Sequence, residues 1–234
     1  MTAQDQDTFL QVGEYRVLLV PSRGERMFYA FARTLVDGIN HLYFGVKVEG
    51  REKIPSPPYI LAPTHRSNID TLLMGSVVRR RLRFMGKDGL WRRRFFGKVL
   101  GALGGIPVNR ETADRGAVAT SVAVLGAGQS LVLFPEGTRK EGPVIQDILD
   151  GAAYIALKAQ VPIIPVGIGG SDRAMAKGVV IPRPAHCHII IGDPILGGVQ
   201  RSASSTKIPR SQIRELTVTL QSRLQELYDQ ARDA

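Results

Sequence analysis

The sequence has 234 residues, of which 44% are hydrophobic and 22% are charged. This length and balance indicate one globular domain with a substantial core, and they exclude a largely disordered chain. The formal net charge is +10, from 31 lysines and arginines against 21 acidic residues, which favours an anionic partner. The single cysteine, Cys187, excludes an internal disulfide framework and is compatible with a reducing compartment.

Residues 1–24 are predicted to be an N-terminal tail, followed by a single domain over residues 25–234. The tail contains Asp5, Asp7 and Glu14 and has no basic segment ahead of a long apolar run, so we expect no secretory signal peptide. Residues 116–135 carry no charge, but they include the turn sequence Gly-Ala-Gly-Gln-Ser. A turn exposed to lipid would leave backbone groups unpaired, so we expect no transmembrane helix either.

Residues 25–44 are predicted to form an amphipathic helix. Phe28, Phe31, Leu35, Ile39 and Leu42 recur at spacings of three and four residues. This aromatic-rich face either packs on the core or contacts lipid. The sequences FGVKVEG and YILAP then predict two short strands on either side of a turn-rich segment.

The stretch THRSNIDT, residues 64–71, places His65 and Asp70 at the start of a predicted helix that runs to about Val78. With Ser67 or Asn68 as the cap, His65 lies just before the first turn and Asp70 lies within it. The imidazole can then donate one ring N–H to the carboxylate and keep its other nitrogen free as a base. Alternatively, His65 is a capping or core residue and Asp70 favours the helix dipole. The spacing alone does not decide between the two.

Basic residues alternate with large apolar ones over residues 79–98. This composition suits an anionic membrane surface. It also suits the phosphates of nucleic acid, or an ordinary solvated face. The candidate membrane-binding residues are Arg79, Arg80, Arg81, Arg83, Trp91, Arg92, Arg93, Arg94, Phe95 and Phe96.

Strands alternate with helices over the second half of the chain. Strands are predicted in GGIPVNR, SLVLFPEGT, VPIIPVGIGG and AHCHIIIGDPI, and helices in ADRGAVATSVAVLGAG and GAAYIALKAQ. Residues 201–207 form a polar linker, and residues 209–232 form a closing amphipathic helix. Together these elements predict an α/β fold whose sheet is covered on both faces.

The sequence LFPEGTRK leads a buried strand into a loop of unusual composition. Active-site loops of α/β proteins lie at the carboxyl ends of strands. Gly137 allows close backbone approach, Thr138 offers a hydroxyl, and Arg139 can clamp a phosphate through two hydrogen bonds. Glu136 can hold a substrate hydroxyl or orient an arginine. A second arginine, Arg110, ends the strand GGIPVNR, and the two together suggest a phosphorylated substrate.

Other chemistries find less support. His186 and His188 share one face of a strand but lack a clear third ligand, so strand packing is favoured over a metal site. No Gly-X-Ser-X-Gly, Walker A or Gly-X-Gly-X-X-Gly sequence is present.

Four ordered blocks resemble the glycerolipid acyltransferase family typified by 1-acyl-sn-glycerol-3-phosphate acyltransferases. HRSNID is similar to its His-X4-Asp block, GGIPVNR to its second block, FPEGTR to its third and VPIIPV to its fourth. The resemblance covers residues 45–195. It implies an α/β fold with a mixed, largely parallel sheet flanked by helices, with an N-terminal amphipathic helical element and a C-terminal helix.

The resemblance also implies a reaction. His65, oriented by Asp70, would take a proton from a hydroxyl of a glycerol phosphate backbone, and that oxygen would attack the thioester of acyl-CoA or acyl-ACP. Arg110 and Arg139 would bind the acceptor phosphate in a pocket shaped by Glu136, Gly137 and Thr138. No metal and no cofactor beyond the acyl donor are expected.

The expected acceptor is lysophosphatidate, giving phosphatidate in phospholipid biosynthesis. Glycerol 3-phosphate or another lysolipid is the alternative acceptor. The expected location is peripheral, on the cytoplasmic face of the cell membrane. A basic nucleic-acid-binding protein is the hypothesis from a different class, although it does not explain the residues at the strand ends, and no nucleic acid partner is expected.

Overall fold

A seven-stranded sheet and a separate two-stranded hairpin form the framework of the computed structural model, which describes residues 9–12, 15–108, 115–176, 178–197 and 208–234. The described strands are β1 (Phe9–Val12), β2 (Tyr15–Leu18), β3 (Lys47–Glu49), β4 (Ile60–Pro63), β5 (Leu82–Lys87), β6 (Gly105–Val108), β7 (Ser130–Val132), β8 (Ile163–Gly169) and β9 (His188–Ile191). The described α-helices are α1 (Arg23–Tyr43), α2 (Asp70–Leu73), α3 (Arg94–Ala102), α4 (Arg115–Gly126), α5 (Gly151–Ala159), α6 (Ser171–Ala174) and α7 (Arg210–Asp233). Short 3-10 helices within the described residues cover Arg51–Lys53, Met74–Ser76 and Asp88–Trp91.

The strand order of the large sheet is β3-β9-β8-β4-β7-β5-β6. All neighbouring pairs are parallel except β8 and β9, which are antiparallel. The sheet is therefore mixed and largely parallel, as the resemblance implied. Because β4, β7 and β6 run in the same direction, the loops that follow them leave from one edge of the sheet.

Helices cover both faces of this sheet, and the alternation of side chains along β4 shows how. Ile60 and Ala62 face a cluster that includes residues of α4, α5 and α7. Tyr59, just before β4, and Leu61 face a second cluster that includes Ile69 and Leu73 of α2. Since β4 is buried on both faces, its sequence is a continuous apolar run rather than an alternating one.

The prediction of a helix over residues 25–44 is confirmed by α1. Ser22 and Glu25 cap its first turn reciprocally, with each side chain bonded to the backbone N–H of the other. The apolar face of α1, however, is exposed, because the helix packs through its opposite side. The exposed apolar residues are Met27, Phe28, Phe31, Leu35, Ile39, Leu42 and Tyr43.

The prediction of a helix from His65 to about Val78 is wrong in its extent. Regular α-helix covers only α2, Asp70–Leu73, followed by the 3-10 turn Met74–Ser76. The backbone N–H groups of Arg66 and Ser67 donate to the Asp70 carboxylate. The chain between His65 and Asp70 is therefore a loop wrapped around that carboxylate.

The closing helix α7 confirms the predicted amphipathic helix over residues 209–232. Its buried residues include Ile213, Leu216, Leu220, Leu224 and Leu227, at the predicted spacing. The helix lies directly against β8, where two glycines permit the contact. A Cβ on Gly167 would lie 2.3 Å from the carbonyl oxygen of Leu227, and one on Gly169 would lie 2.1 Å from that of Ala231. The predicted linker over residues 201–207 falls outside the described residues.

The predicted N-terminal tail, residues 1–24, includes a β-hairpin. Strands β1 and β2 pair antiparallel, with Phe9 opposite Leu18 and Val12 opposite Tyr15. Val17 is buried in the same cluster as residues of α4 and α5. The hairpin is thus packed on the domain. None of the helices in the described part of the chain is long and apolar enough to span a bilayer.

Candidate active site

His65 and Asp70 are joined by a direct hydrogen bond at the carboxyl end of β4. The distance between Nδ1 of His65 and Oδ2 of Asp70 is 3.0 Å. The carboxylate is fully buried, whereas 18% of the His65 side chain is exposed. The bond to the carboxylate fixes the ring and places a proton on Nδ1, so Nε2 is left as the basic nitrogen.

The Asp70 carboxylate is itself held by the loop it organises. Its Oδ2 accepts from the backbone N–H groups of Arg66 and Ser67, both at 2.7 Å. The Ser67 hydroxyl donates to the carbonyl oxygen of Met175, just beyond α6. The ring of His65 also stacks on Phe134, with 4.1 Å between ring centroids. The imidazole is therefore oriented by a hydrogen bond on its edge and by an aromatic ring on its face.

Glu136, in the loop after β7, supports the same segment. Its Oε1 accepts from the backbone N–H of His65 at 2.8 Å. Its Oε2 accepts from the guanidinium of Arg66 at 2.5 Å. The Glu136 side chain is completely buried, so contact with a substrate is not the role seen in this structure. Its other predicted role, orienting an arginine, is the one observed.

Arg66 is the supporting residue that the sequence patterns do not single out. Its side chain is 1% exposed and lies between Glu136 and the ring of Tyr228 on α7, 4.8 Å from the ring centroid. Burial by itself lowers the pKa of Arg66, but the interactions with Glu136 and, after it, with Tyr228 together outweigh it and raise that pKa. Tyr228 lies near the other end of the sequence, so no local motif links it to Arg66.

The loop from Gly137 to Lys140 faces outward beside His65. The φ angle of Gly137 is +68°, in the left-handed region that favours glycine. Thr138 is exposed and Arg139 is partly exposed. The backbone N–H of Lys140 donates to the carbonyl oxygen of His65 at 3.0 Å, which ties this loop to the histidine. The remaining predicted substrate residue, Arg110, lies outside the described residues, although β6 leads to this same edge.

The predicted membrane-binding segment divides into exposed and buried residues. Arg79, Arg80, Arg92, Arg93, Phe95 and Phe96 are exposed. Arg83 is 1% exposed, so the prediction that it contacts a membrane is wrong. Its guanidinium donates to the carbonyl oxygen of Leu18 and to the side chain of Gln129, and its pKa is lowered by burial.

Two further members of that segment point inward. Arg81 is partly buried and donates to the carbonyl oxygen of Gly101. Trp91 is partly buried against Gly86 and Gly105, where added Cβ atoms would lie 3.0 Å and 2.9 Å from its ring. The side chain of Arg94 is not among those described.

The side chains that a metal site or a covalent mechanism would use contact other parts of the fold. They are His186, His188 and Cys187. Nε2 of His188 lies 2.9 Å from Oε1 of Glu49 on the neighbouring strand β3. The ring of His186 packs against Gly45. Burial raises the pKa of the Cys187 thiol to about 12, so it is not ionised near neutral pH and does not suit the role of a nucleophile.

A family model described as "Acyltransferase" matches residues 45–169. The chain is 26% identical to the 1-acyl-sn-glycerol-3-phosphate acyltransferase of Bacillus subtilis over 197 residues, which covers 80% of this chain and 96% of that protein. It is 33% identical to the protein of the same name from Streptococcus pneumoniae over 158 residues, which covers 63% of this chain and 56% of that protein.

The fold is similar to the crystal structure of the 1-acyl-sn-glycerophosphate (LPA) acyltransferase PlsC from Thermotoga maritima. The TM-score is 0.68 at 22% identity, covering 89% of this chain and 83% of the other. The matched family segment includes more than half of the chain and contains both His65 and Arg139. The chain belongs to the acyltransferase family, and it is an O-acyltransferase.

Proposed function

We propose that this acyltransferase transfers an acyl chain from acyl-CoA or acyl-ACP to 1-acyl-sn-glycerol-3-phosphate and so forms phosphatidate in phospholipid biosynthesis. The names of the Bacillus and Streptococcus relatives support this acceptor. The observation that carries the proposal is the 3.0 Å bond between His65 and Asp70, which leaves Nε2 of a partly exposed imidazole free to act as a base.

Among the described residues, no hydroxyl or thiol side chain is hydrogen-bonded to the His65 ring, so the proposed nucleophile is the acceptor's hydroxyl. Nε2 of His65 takes the hydroxyl proton as the oxygen bonds to the thioester carbonyl carbon. When the tetrahedral intermediate collapses, the carbon–sulfur bond breaks and the thiolate leaves. The imidazolium then returns the proton to the sulfur. Asp70 stabilises the imidazolium that forms in between, because its carboxylate is buried beside Nδ1.

Arg139 is the proposed binding residue for the acceptor's phosphate. It makes no ion pair with any residue that the structure describes, and it lies in the loop whose Lys140 N–H donates to the carbonyl oxygen of His65. A guanidinium binds a phosphate through two parallel hydrogen bonds. Arg110 is proposed as a second phosphate ligand from the loop after β6, and Thr138 is proposed to line the same pocket.

The enzyme is proposed to work on the cytoplasmic face of a membrane, held through the exposed face of α1 and the neighbouring segment. Phe31 and Leu42 on α1 are 70% and 92% exposed, and Phe95 on α3 is 74% exposed. Arg92 and Arg93 lie just before α3. Apolar side chains beside cations suit an interface between lipid tails and anionic headgroups.

The decisive experiment measures the acceptor directly. Labelled acyl-CoA is incubated with the full chain and, separately, with glycerol 3-phosphate, 1-acyl-sn-glycerol-3-phosphate and the 2-acyl isomer, and the position of the new ester is determined. We expect phosphatidate from the 1-acyl isomer with the highest kcat/KM. Preferred acylation of glycerol 3-phosphate would overturn the proposed acceptor and support the alternative acceptor.

A further inference from the structure

A second cationic concavity lies away from His65. It has a volume of about 660 Å³ and is lined by residues of α1, of the turn-rich segment before β4 and of the segment before β5. Four arginines contribute to its walls: Arg33, Arg51, Arg79 and Arg80. We refer to it below as the arginine pocket.

The arginine pocket lies at the opposite edge of the sheet from the catalytic pair. Tyr59, which lines it, immediately precedes β4, and His65 follows the carboxyl end of that strand. Arg79 and Arg80 precede β5, again at an amino end. Because β4 and β5 are parallel members of one sheet, the arginine pocket and the catalytic edge are separated by the length of the strands.

The charges in the arginine pocket are not balanced by the protein. Asp37 is the carboxylate among its lining residues, and it already lies 4.0 Å from the Arg33 guanidinium and 3.4 Å from Nδ1 of His41. Arg51, Arg79 and Arg80 make no ion pair with any described residue. Arg51 is oriented by a 2.8 Å hydrogen bond from Nη2 to the carbonyl oxygen of Ser76. Arg51 is thus positioned at the wall, and the exposed residues Arg79 and Arg80 also line the pocket.

Such an arrangement favours a compact anion with several oxygen acceptors. Guanidinium groups bind phosphate oxygens with directed, charge-assisted hydrogen bonds, and a partly enclosed site strengthens them relative to bulk water. The volume is that of a small-molecule site, larger than one phosphate needs. The ligand therefore has room for a glycerol or similar group on the phosphate.

We propose that the arginine pocket binds a phosphate ester, at a site distinct from the acceptor site beside His65. Two sources share this chemistry, a free phosphate ester and the headgroup of a membrane lipid. Helix α1 connects the pocket with lipid, because it supplies Arg33 and Asp37 to the pocket and exposes Phe31 and Leu35 on its outer side. The proposal does not depend on which acceptor is acylated.

The test is a site-resolved titration of the full chain, labelled with 15N and followed by two-dimensional 1H–15N NMR. The probes are glycerol 3-phosphate and a short-chain phosphatidate, with glycerol at matched ionic strength as the blank. We expect saturable shifts at the amides of residues 76–80 with a phosphate ester and none with glycerol. Shifts confined to the amides of residues 136–140 would overturn the proposal.

Two double variants show whether the arginine pocket or overall charge is responsible. Arg79→Gln/Arg80→Gln should weaken the affinity for the phosphate ester, measured at the amides of residues 76–78, by about tenfold or more. The reason is that charge-assisted contacts to phosphate are lost. Arg210→Gln/Arg214→Gln removes the same charge from exposed positions of α7 and should leave that affinity unchanged. Equal weakening by both double variants would overturn the proposal, since it would indicate general electrostatic attraction.

Two further comparisons distinguish the arginine pocket from the acceptor site and a lipid headgroup from a free phosphate ester. In the Arg139→Ala variant, binding at the arginine pocket should persist whether or not Arg139 binds the acceptor phosphate. Failure of the proposed function and failure of the proposed pocket therefore give different results. Loss of binding at the arginine pocket in Arg139→Ala would overturn the proposal that this pocket is a site separate from the acceptor site. Tighter binding of short-chain phosphatidate than of glycerol 3-phosphate would support a lipid headgroup, and equal affinity would support a free phosphate ester.

Discussion

The guanidinium of Arg66 and the carboxylate of Glu136 form a buried ion pair, with 2.5 Å between Nη1 and Oε2. The two side chains are 1% and 0% exposed, so water does not solvate either charge. The pair joins the loop that carries His65 to the loop that carries Arg139, because Glu136 also accepts from the backbone N–H of His65. The base and the proposed phosphate ligand therefore share one support.

Glu136→Gln should destabilise the fold strongly while keeping the size of the side chain. Removing one partner of a buried pair leaves the other charge uncompensated, which costs about 3–5 kcal/mol. The measurement is the free energy of unfolding from urea titration. Glu226→Gln is the matched control, because Glu226 pairs with Arg223 on the surface, and its loss should cost less than about 1 kcal/mol. Equal costs for the two variants would contradict the role assigned to Glu136.

His65→Ala should abolish release of thiol from acyl-CoA in the presence of acceptor, because the proposed base is removed. The fold should persist, since the His65 ring contributes one hydrogen bond and one stacking contact at a partly exposed position. Thiol release is followed with a chromogenic disulfide, and folding is followed by circular dichroism. His188→Gln is the control histidine, which pairs with Glu49 on β3 and should retain activity. Near-normal turnover of His65→Ala would disprove the mechanism.

Arg139→Ala should raise the acceptor KM by about tenfold or more and change the acyl-CoA KM much less, because a charge-assisted contact to phosphate is lost. Lys140→Ala is the matched control. It removes a neighbouring cation in the same loop but keeps the backbone N–H that donates to His65. Steady-state kinetics with each substrate varied in turn separate the effects. If the donor KM rose instead, the phosphate site would have been assigned to the wrong substrate.

Phe31→Ser/Leu42→Ser should weaken binding to phospholipid vesicles with little change in stability. Both side chains are exposed, at 70% and 92%, so the fold does not depend on burying them. Burying one large apolar side chain contributes about 1.5–3 kcal/mol, so the loss of two should lower partitioning more than tenfold. Flotation with vesicles measures this. Val218→Ser, which alters an exposed residue of α7, should have no effect on flotation.

Arg92→Gln/Arg93→Gln should also weaken binding to anionic vesicles, but in a manner that depends on salt. The effect should be largest at low ionic strength, because exposed charges are screened as salt is added. The measurement is flotation over a salt series with anionic and with zwitterionic vesicles. Unchanged binding at low salt would exclude this segment from the membrane contact.

The regular elements could be predicted where a pattern is local. The apolar spacing of α1 and α7 depends only on neighbouring turns, and the apolar run of β4 only on burial of both faces. The extent of α2 could not be predicted from such spacing. Its start is set by the backbone bonds from Arg66 and Ser67 to the Asp70 carboxylate, which a periodic pattern does not contain.

The candidate site likewise contains some contacts that could be predicted from the sequence and others that could not. The spacing of His65 and Asp70 is short, so their hydrogen bond could be predicted as soon as a loop and a helix start were placed there. That Glu136 could orient an arginine was open to prediction, but which arginine was not, because Arg66 in turn lies on the ring of Tyr228 from α7. Contacts between distant parts of the chain leave no local pattern in the residues themselves.

Arg83 shows that a local run of charged residues also fails to predict which of them is buried. A run of arginines predicts a surface, but Arg83 lies on β5, and its neighbour Leu82 is buried on the other face of the sheet. The Arg83 guanidinium donates to the carbonyl oxygens of Leu18 and Leu19 and to Gln129. Its partners are backbone carbonyl groups of the N-terminal segment and the side-chain oxygen of Gln129 rather than a carboxylate. The arginine therefore attaches the hairpin to the sheet.

Arg83→Met should loosen the N-terminal hairpin, because methionine fills similar space without donating to the carbonyl of Leu18. We expect amide hydrogen exchange at Val17 and Leu18 to become at least about tenfold faster, while exchange in β4 and β8 stays slow. Arg81→Met is the matched control, since Arg81 donates to the carbonyl oxygen of Gly101 at the end of α3 and not to the hairpin. Unchanged exchange at Val17 in Arg83→Met would show that the buried contacts of the hairpin suffice and that the arginine is dispensable for its attachment.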